Sequence, residues 1–253
     1  KIMKALLNFT AILFSIITTA IYGQDLNVTN EIASFFKDSL NLPNLNYPKS
    51  VIRFYAKNNF EYFWLDEKQN IDRAAMALFL LRHPHRFGLS SSDYHLENLS
   101  LERLKKFRSS SPEKQQKDKA LFDVLITDGI LTFINNLHFG KYNPLYHSSY
   151  IDSVRINGFC ADEILSDASS KVDFLNLVRE AQPKLKAYQD FQDYLDQSYT
   201  ANNIMPPRAE MEKILINMER LRWVNTQSLD YIVINMPSYT LEFHYNGNLS
   251  EFK

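Results

Sequence analysis

A lone thiol, a histidine pair split by proline, one carboxylate inside an apolar run and a short polar cluster are the chemistry-bearing features of this chain. Cys160 is the only cysteine. It precedes a predicted helix start, where the helix dipole could stabilise a thiolate. Its context, NGFCADEIL, supplies neither a histidine nor a basic neighbour, so an inert, partly buried thiol is the better reading. His83 and His85 flank Pro84 and point in different directions. No third ligand follows at useful spacing, and Arg82 and Arg86 repel a cation. A surface helix end carrying cationic side chains accounts for the pair, and equally for His138 close to Gly140. No metal and no cofactor is expected.

Asp128 interrupts the apolar run LITDGILTF. A carboxylate there is expected to be buried and paired, with Thr127 bonding back to the preceding turn. Gly129 costs helix stability, which is tolerable where another helix must come close. The two residues read as a packing and orientation device rather than a catalytic acid. Asn217, Glu219, Arg220, Arg222 and Trp223 crowd the end of a later apolar stripe. Glu219 and Arg222, three apart, can pair on one helix face. The arginines are expected to bridge to the strands that follow, as structural residues first. No residue is assigned a catalytic, cofactor-binding or metal-binding role.

Helices must position these groups. Asn30 can cap a helix with Ile32, Phe35, Phe36 and Leu40 on one stripe, closed by Pro43. Pro48 suits the first turn of a second helix, with Val51, Phe54 and Tyr55 inward. Tyr62-Phe63-Trp64-Leu65 breaks the pattern as an extended aromatic run. Asn70 starts a helix with Ala74, Leu78 and Leu81 on one face, ended by Pro84. Gly88-Leu89 with Asp93-Tyr94 makes a turn, and Ser100 opens a short helix through Leu101, Leu104 and Phe107. Pro112 opens the longest helix, charged at first and then apolar through Leu121, Phe122, Leu125, Ile126, Phe133 and Leu137, with Gly140 as its stop. KYNPLYHSSYIDSVRINGF reads as a looser stretch with turns at Asn143-Pro144 and Asn157-Gly158.

Helices resume near Ala161, over 170–180, and from Pro183 to about Tyr199. Asn202-Asn203 and Pro206-Pro207 mark the clearest boundary. Pro207 opens a last helix striped by Met211, Ile214, Leu215, Met218 and Leu221. YIVINMPSYTLEFHYNGNLSEFK then reads as two β-strands, an Asn246-Gly247 hairpin turn and the start of a third strand. A lone hairpin is marginal in water and presents open edges. These strands are therefore expected to open a β domain that continues beyond Lys253. The fold class is mainly α, a multi-helix domain followed by a β-hairpin, with no solenoid repeat.

Composition fits a folded, exported protein. Hydrophobic residues make up 45% and charged residues 23% of the 253, enough to bury a core without disorder. A net charge of -1 gives no electrostatic case for nucleic acid or an anionic membrane. Six glycines leave no material for a glycine-rich phosphate loop. Met3-Lys4 resembles an ordinary start, and Ala5 to Tyr22 is apolar with small residues at its end. Residues 1–23 are read as a signal peptide, cleaved after Gly23 or Ala20. A retained membrane anchor is the rival reading, since a span needs roughly 20 residues. The polar interruptions and the polar sequence after Gln24 favour cleavage, and hence the periplasm or cell envelope.

Six stretches occur in a telling order: Phe63-Trp64, Gly88-Leu89 with Asp93-Tyr94, LITDGILTFINNLHFGKYNP, QPKLKAYQDFQDYL, ILINMERLRW, and the strand pair YIVINMPSYTLEFHYNG. Through them the chain resembles the front part of the large murein L,D-transpeptidases, which place a helical scaffold domain before a catalytic β domain. ILINMERLRW through YIVINMP is the most specific part. In many relatives a peptidoglycan-binding helical module precedes the ERLRW-type helix, whereas here only a short Asn-Pro-rich link occupies that place. The resemblance implies a scaffold domain over residues 28–203. Over 204–253 it implies a connecting helix and the start of an incomplete catalytic β domain.

The implied reaction cross-links peptidoglycan stem peptides. A cysteine thiolate attacks the donor tetrapeptide, releases its terminal D-alanine and passes the acyl group to an acceptor amine. The family signature pairs an upstream histidine with a Ser-x-Gly-Cys-x-Arg type motif. This sequence holds no such motif, and Cys160 lies in the scaffold portion, so the chain alone is expected to be inactive. The implied partners are peptidoglycan stem peptides, met through the catalytic domain, and other cell-wall synthesis enzymes. The alternative is a non-catalytic exported protein that kept the scaffold for wall binding or interaction. An unrelated helical protein with an accidental hairpin is a third reading.

Overall fold

The computed structural model describes residues 31–37, 44–65, 71–109, 116–169, 174–200, 207–224, 230–236, 239–245 and 248–252. The expected signal segment, the Asn30 cap, Leu40, Pro43, Asn70, Pro112, Asn202-Asn203, Pro206 and the Asn246-Gly247 turn lie outside the described residues. The helices are α1 (Glu31–Lys37), α2 (Pro48–Lys57), α3 (Ile71–Arg82), α4 (Leu101–Ser109), α5 (Gln116–Phe139), α6 (Ser148–Ile151), α7 (Ala161–Ser169), α8 (Phe174–Arg179), α9 (Lys186–Thr200) and α10 (Arg208–Arg222). Strands β1 (Tyr231–Asn235), β2 (Thr240–Tyr245) and β3 (Asn248–Phe252) follow. The chain is mainly helical with antiparallel strands at its C-terminal end, as its periodicity predicts.

The fold is built around α5. Phe122, Val124, Leu125, Ile126, Ile130, Leu131, Phe133, Ile134 and Leu137 are all buried. A helix apolar on every side has to be enclosed by others, and α1, α2, α3, α7, α8 and α10 pack around this one. Its length and apolarity would suffice to cross a membrane, but here it is the enclosed core helix. Each fully buried Leu, Ile or Phe contributes about 1.5–3 kcal/mol, which lets α5 also carry polar groups inward.

The flanking helices follow their sequence signals. Pro48 is the first residue of α2, and Val51, Phe54 and Tyr55 are buried. Ala74, Leu78 and Leu81 of α3 are fully buried. A Cβ at Gly129 would lie 2.9 Å from Leu81 Cδ1, so the glycine does admit the close helix that its presence implied. Gly140 ends α5 in the left-handed conformation, φ 82°. The turn predicted around Gly88 and Asp93 contains two 3₁₀ segments, Pro84–Phe87 and Ser91–Asp93.

Three details differ from expectation, the first being that the helix read from Pro183 begins only at Lys186. The stretch read as loose contains α6, a helix of only four residues that is too short to show a period. Pro207 is the residue before α10 rather than its first, with an extended ψ of 142°. The strands form one antiparallel sheet in the order β1-β2-β3, pairing Ile232 with Phe243, Ile234 with Leu241, and Tyr245 with Asn248. The third strand is therefore paired along its length. Ile232, Ile234, Leu241, Phe243 and Tyr245 share one sheet face, and all are exposed.

Candidate functional site

α10 is the last described helix before the strands, and its final turn carries a buried polar cluster. Arg222, in its last turn, is fully buried as a side chain. Its Nη1 donates to Glu219 Oε2 at 3.0 Å, and its Nη2 donates to the Tyr188 hydroxyl at 3.0 Å and to the Phe87 carbonyl. The guanidinium also sits over the Tyr188 ring, 5.3 Å from its centroid. Glu219 Oε1 accepts the Tyr142 backbone N–H at 2.7 Å and the Trp223 indole N–H at 3.2 Å. Gly140 lies under this cluster: a Cβ there would fall 2.5 Å from Glu219 Oε1 and 2.7 Å from Trp223 Nε1. One arginine thus ties α10 to α9, to the Phe87 turn and, through Glu219, to the end of α5. This corrects the expectation that the arginines bridge to the strands. Arg222 turns back into the helices, while Arg220 and Asn217 are exposed.

The second concentration of polar groups lies on α5 itself, in two lines at i, i+4 spacing. Asp123 and Thr127 form the first. Asp123 accepts the Tyr55 hydroxyl at 2.6 Å and the backbone N–H groups of Phe63, Trp64 and Leu65 at 3.1, 2.8 and 2.9 Å. The Trp64 indole donates to Thr127 at 2.9 Å, and Thr127 bonds back to the Asp123 carbonyl at 3.1 Å. The aromatic run that broke the helical pattern is therefore pinned by one buried carboxylate. Asp123 had drawn no attention in the sequence, although four-residue polar spacing within an apolar helix was visible.

Asp128, Thr132 and Asn136 form the second line. Asp128 is buried and paired, as expected of it. It accepts the N–H groups of Asn46 and Tyr47, both at 2.9 Å, and lies 2.6 Å from His95 Nε2. His95 is a partner the sequence reading missed; its backbone is left-handed, φ 55°, a costly state for a residue other than glycine. Beside His95 opens a cleft of about 500 Å³ lined by Asn46, Asp93, His95, Glu97, Asn136 and Lys141, among others. Lys141 Nζ bonds both oxygens of Asp93, at 2.7 and 2.9 Å. Asp152 completes this side by accepting Lys49 and Ser50 N–H at 3.0 and 2.8 Å.

The remaining candidates are structural. The Cys160 thiol is half-buried and donates to Asp162 Oδ1 at 2.9 Å. Burial, and then the Asp162 carboxylate, push its pKa up, which disfavours the thiolate a nucleophile needs. Cys160→Ser should therefore change stability by no more than about 1 kcal/mol. Thiol-specific labelling of the native chain at neutral pH should be slower than that of free cysteine, and faster labelling would contradict this assignment. His83 Nδ1 faces the Phe79 carbonyl at 2.8 Å at the end of α3. No cluster of metal-ligating side chains occurs among the described residues. His138 departs from its expected role as a surface cation. It stacks on Phe159, with ring centroids 3.5 Å apart, and burial lowers its pKa, so it packs as a neutral ring.

A family model described as the Scaffold domain matches residues 49–195. No curated protein and no solved structure matches the chain. The matched span runs from the first turn of α2 into α9, and so contains the α5 core, both polar lines and the Phe87 and Tyr188 partners of Arg222. On that match the chain belongs to the Scaffold domain family, the helical scaffold domain of L,D-transpeptidases.

Proposed function

We propose that this chain is the scaffold portion of an exported L,D-transpeptidase that cross-links peptidoglycan stem peptides by cysteine acyl transfer. The scaffold family match over residues 49–195 carries this reading. In it, residues 28–203 form the scaffold, and 204–253 form a connecting helix with the first strands of the catalytic domain. The buried Arg222 junction supports it, because it fastens the connecting helix to the scaffold. The open apolar face of Ile232, Ile234, Leu241, Phe243 and Tyr245 supports it as well, being a surface that further β structure would cover. The site of action is the periplasm or cell envelope, and the partners are stem peptides and other wall-synthesis enzymes.

The reaction itself belongs to residues that this sequence does not hold. The reading frame should continue past Lys253 into a histidine and a Ser-x-Gly-Cys-x-Arg type motif. The whole gene product, given tetrapeptide muropeptides, should release D-alanine and yield cross-linked dimers detectable by mass spectrometry. A frame closing at Lys253, or a whole product without release of D-alanine, would overturn the proposal.

A further inference from the structure

The His83-Pro84-His85 turn, which has no part in the Arg222 junction or in the polar lines of α5, borders a second recess. The end of α3, the Pro84–Phe87 segment, α8 and α9 meet around a pocket of about 230 Å³. Its walls are apolar. Leu80 and Phe87, both buried, and Leu175 contribute to them, together with Phe79, which is 62% exposed and packs on His83 with ring centroids 4.3 Å apart. We propose that this pocket docks a partner protein through one aromatic side chain flanked by carboxylates.

Size and charge choose this occupant. Small-molecule sites measure roughly 300–1,000 Å³, so a pocket this small admits one large side chain rather than a whole cofactor. Protein interfaces concentrate their binding energy in such aromatic anchors, seated in water-excluding pockets. The charge around the pocket is positive. Among the described residues, Asp196 is the one carboxylate lining it, and Arg86 Nη2 takes that carboxylate at 2.7 Å. Arg179 donates to uncharged acceptors, the Leu175 carbonyl at 3.2 Å and the Asn176 side-chain oxygen, and pairs with no carboxylate among the described residues. Arg86 Nε is buried and has no acceptor. Carboxylates beside the anchoring ring would satisfy that donor and match the Arg179 charge. A basic or purely apolar occupant would leave both unmatched. The inference stands on the pocket and not on the transpeptidase reading.

The capped peptide Glu-Glu-Trp-Glu-Glu, titrated into the full chain, should shift the NMR signals of Phe79, Leu80, Arg86, Leu175 and Arg179. Replacing its tryptophan with alanine should weaken binding by at least about tenfold, and a Lys-Lys-Trp-Lys-Lys peptide should not bind. Phe79→Ala removes an exposed ring, and Arg179→Glu reverses the unmatched charge. Each should weaken the acidic peptide by about tenfold, with the melting temperature of Phe79→Ala unchanged. Indole-3-propionate, a ring and a carboxylate without a chain, should shift the same signals only at far higher concentration. The proposal is overturned if the acidic peptide causes no shifts or shifts that map elsewhere, or if the lysine or alanine peptide binds equally. It is also overturned if both variants bind normally, or if indole-3-propionate binds as tightly as the peptide, which would make this a small-molecule site. D-alanine release by the whole gene product tests the transpeptidase reading separately, and neither result decides the other.

Discussion

Asp123→Ala should destabilise the chain by about 3–5 kcal/mol, because it orphans several buried donors at once. The backbone N–H groups of Phe63, Trp64 and Leu65 and the Tyr55 hydroxyl all lose their acceptor. Each orphaned donor costs roughly 1–3 kcal/mol, less whatever water recovers on entering the gap. For a chain of this size that corresponds to a fall in Tm of about 10 °C, read by circular dichroism with the near-ultraviolet signal of Trp64 as a local probe. Asp123→Asn should fall between parent and alanine, since its amide keeps one acceptor but turns an N–H toward donors. A loss below about 1 kcal/mol for the alanine variant would mean that the aromatic segment is held by packing alone.

The same carboxylate gives a pH signature. Burial pushes the Asp123 pKa up from 3.8 to about 6, against the four donors that favour its ionised form. Between those two values the folded chain keeps a proton that the unfolded chain has released. The group's contribution to stability is thus greatest below pH 3.8, declines as pH rises through 6, and is constant above. The stability advantage of the parent over Asp123→Asn should shrink across that window and then level off. An advantage that stays flat would show that Asp123 does not titrate there.

Arg222→Ala should cost about 3–5 kcal/mol by breaking a buried ion pair from one side. Glu219 would remain with its carboxylate 12% exposed and without its cation, and the Phe87 carbonyl would lose its guanidinium donor. Amide hydrogen exchange across Arg208–Arg222 should rise strongly, while Phe122–Leu137 in α5 stays protected. Arg222→Lys keeps the charge but not the planar fork that reaches Glu219, Tyr188 and Phe87 together, so it should restore only part of the loss. Unchanged exchange in α10 would mean that its apolar stripe, Ile214 and Met218, seats it without the arginine.

How much of this was legible in advance follows from the range of each interaction. The stripes of Val51, Phe54 and Tyr55, of Ala74, Leu78 and Leu81, and of α5 were readable because burial repeats with the helical period. Thr127 bonding back one turn and the Glu219–Arg222 pair were readable because both lie within one helix. The paired strands followed from alternation around an Asn-Gly step. His95 beside Asp128 could not be read, since 33 residues separate them and nothing local marks the histidine. His138 looked like a helix-end cation until Phe159, from another segment, stacked on it and burial neutralised it. Arg222 was assigned to the wrong neighbour, because a sequence states that an arginine ends a helix and not which way the helix is rotated.

The start of α2 shows the division most plainly. Its proline at position 48 marks the first turn from sequence alone, because a missing N–H and a fixed φ suit that place. The donors around it, Asn46, Tyr47, Lys49 and Ser50, are satisfied by Asp128 and Asp152, which lie 81 to 103 residues further along the chain. The sequence by itself determined the helices, their inward faces and the paired strands, since each depends on neighbours within a turn or two. Only the tertiary structure decided which carboxylate caps which helix, where Arg222 anchors and that a polar cleft opens beside His95. Those outcomes depend on segments brought together by packing, and local spacing carries no record of that.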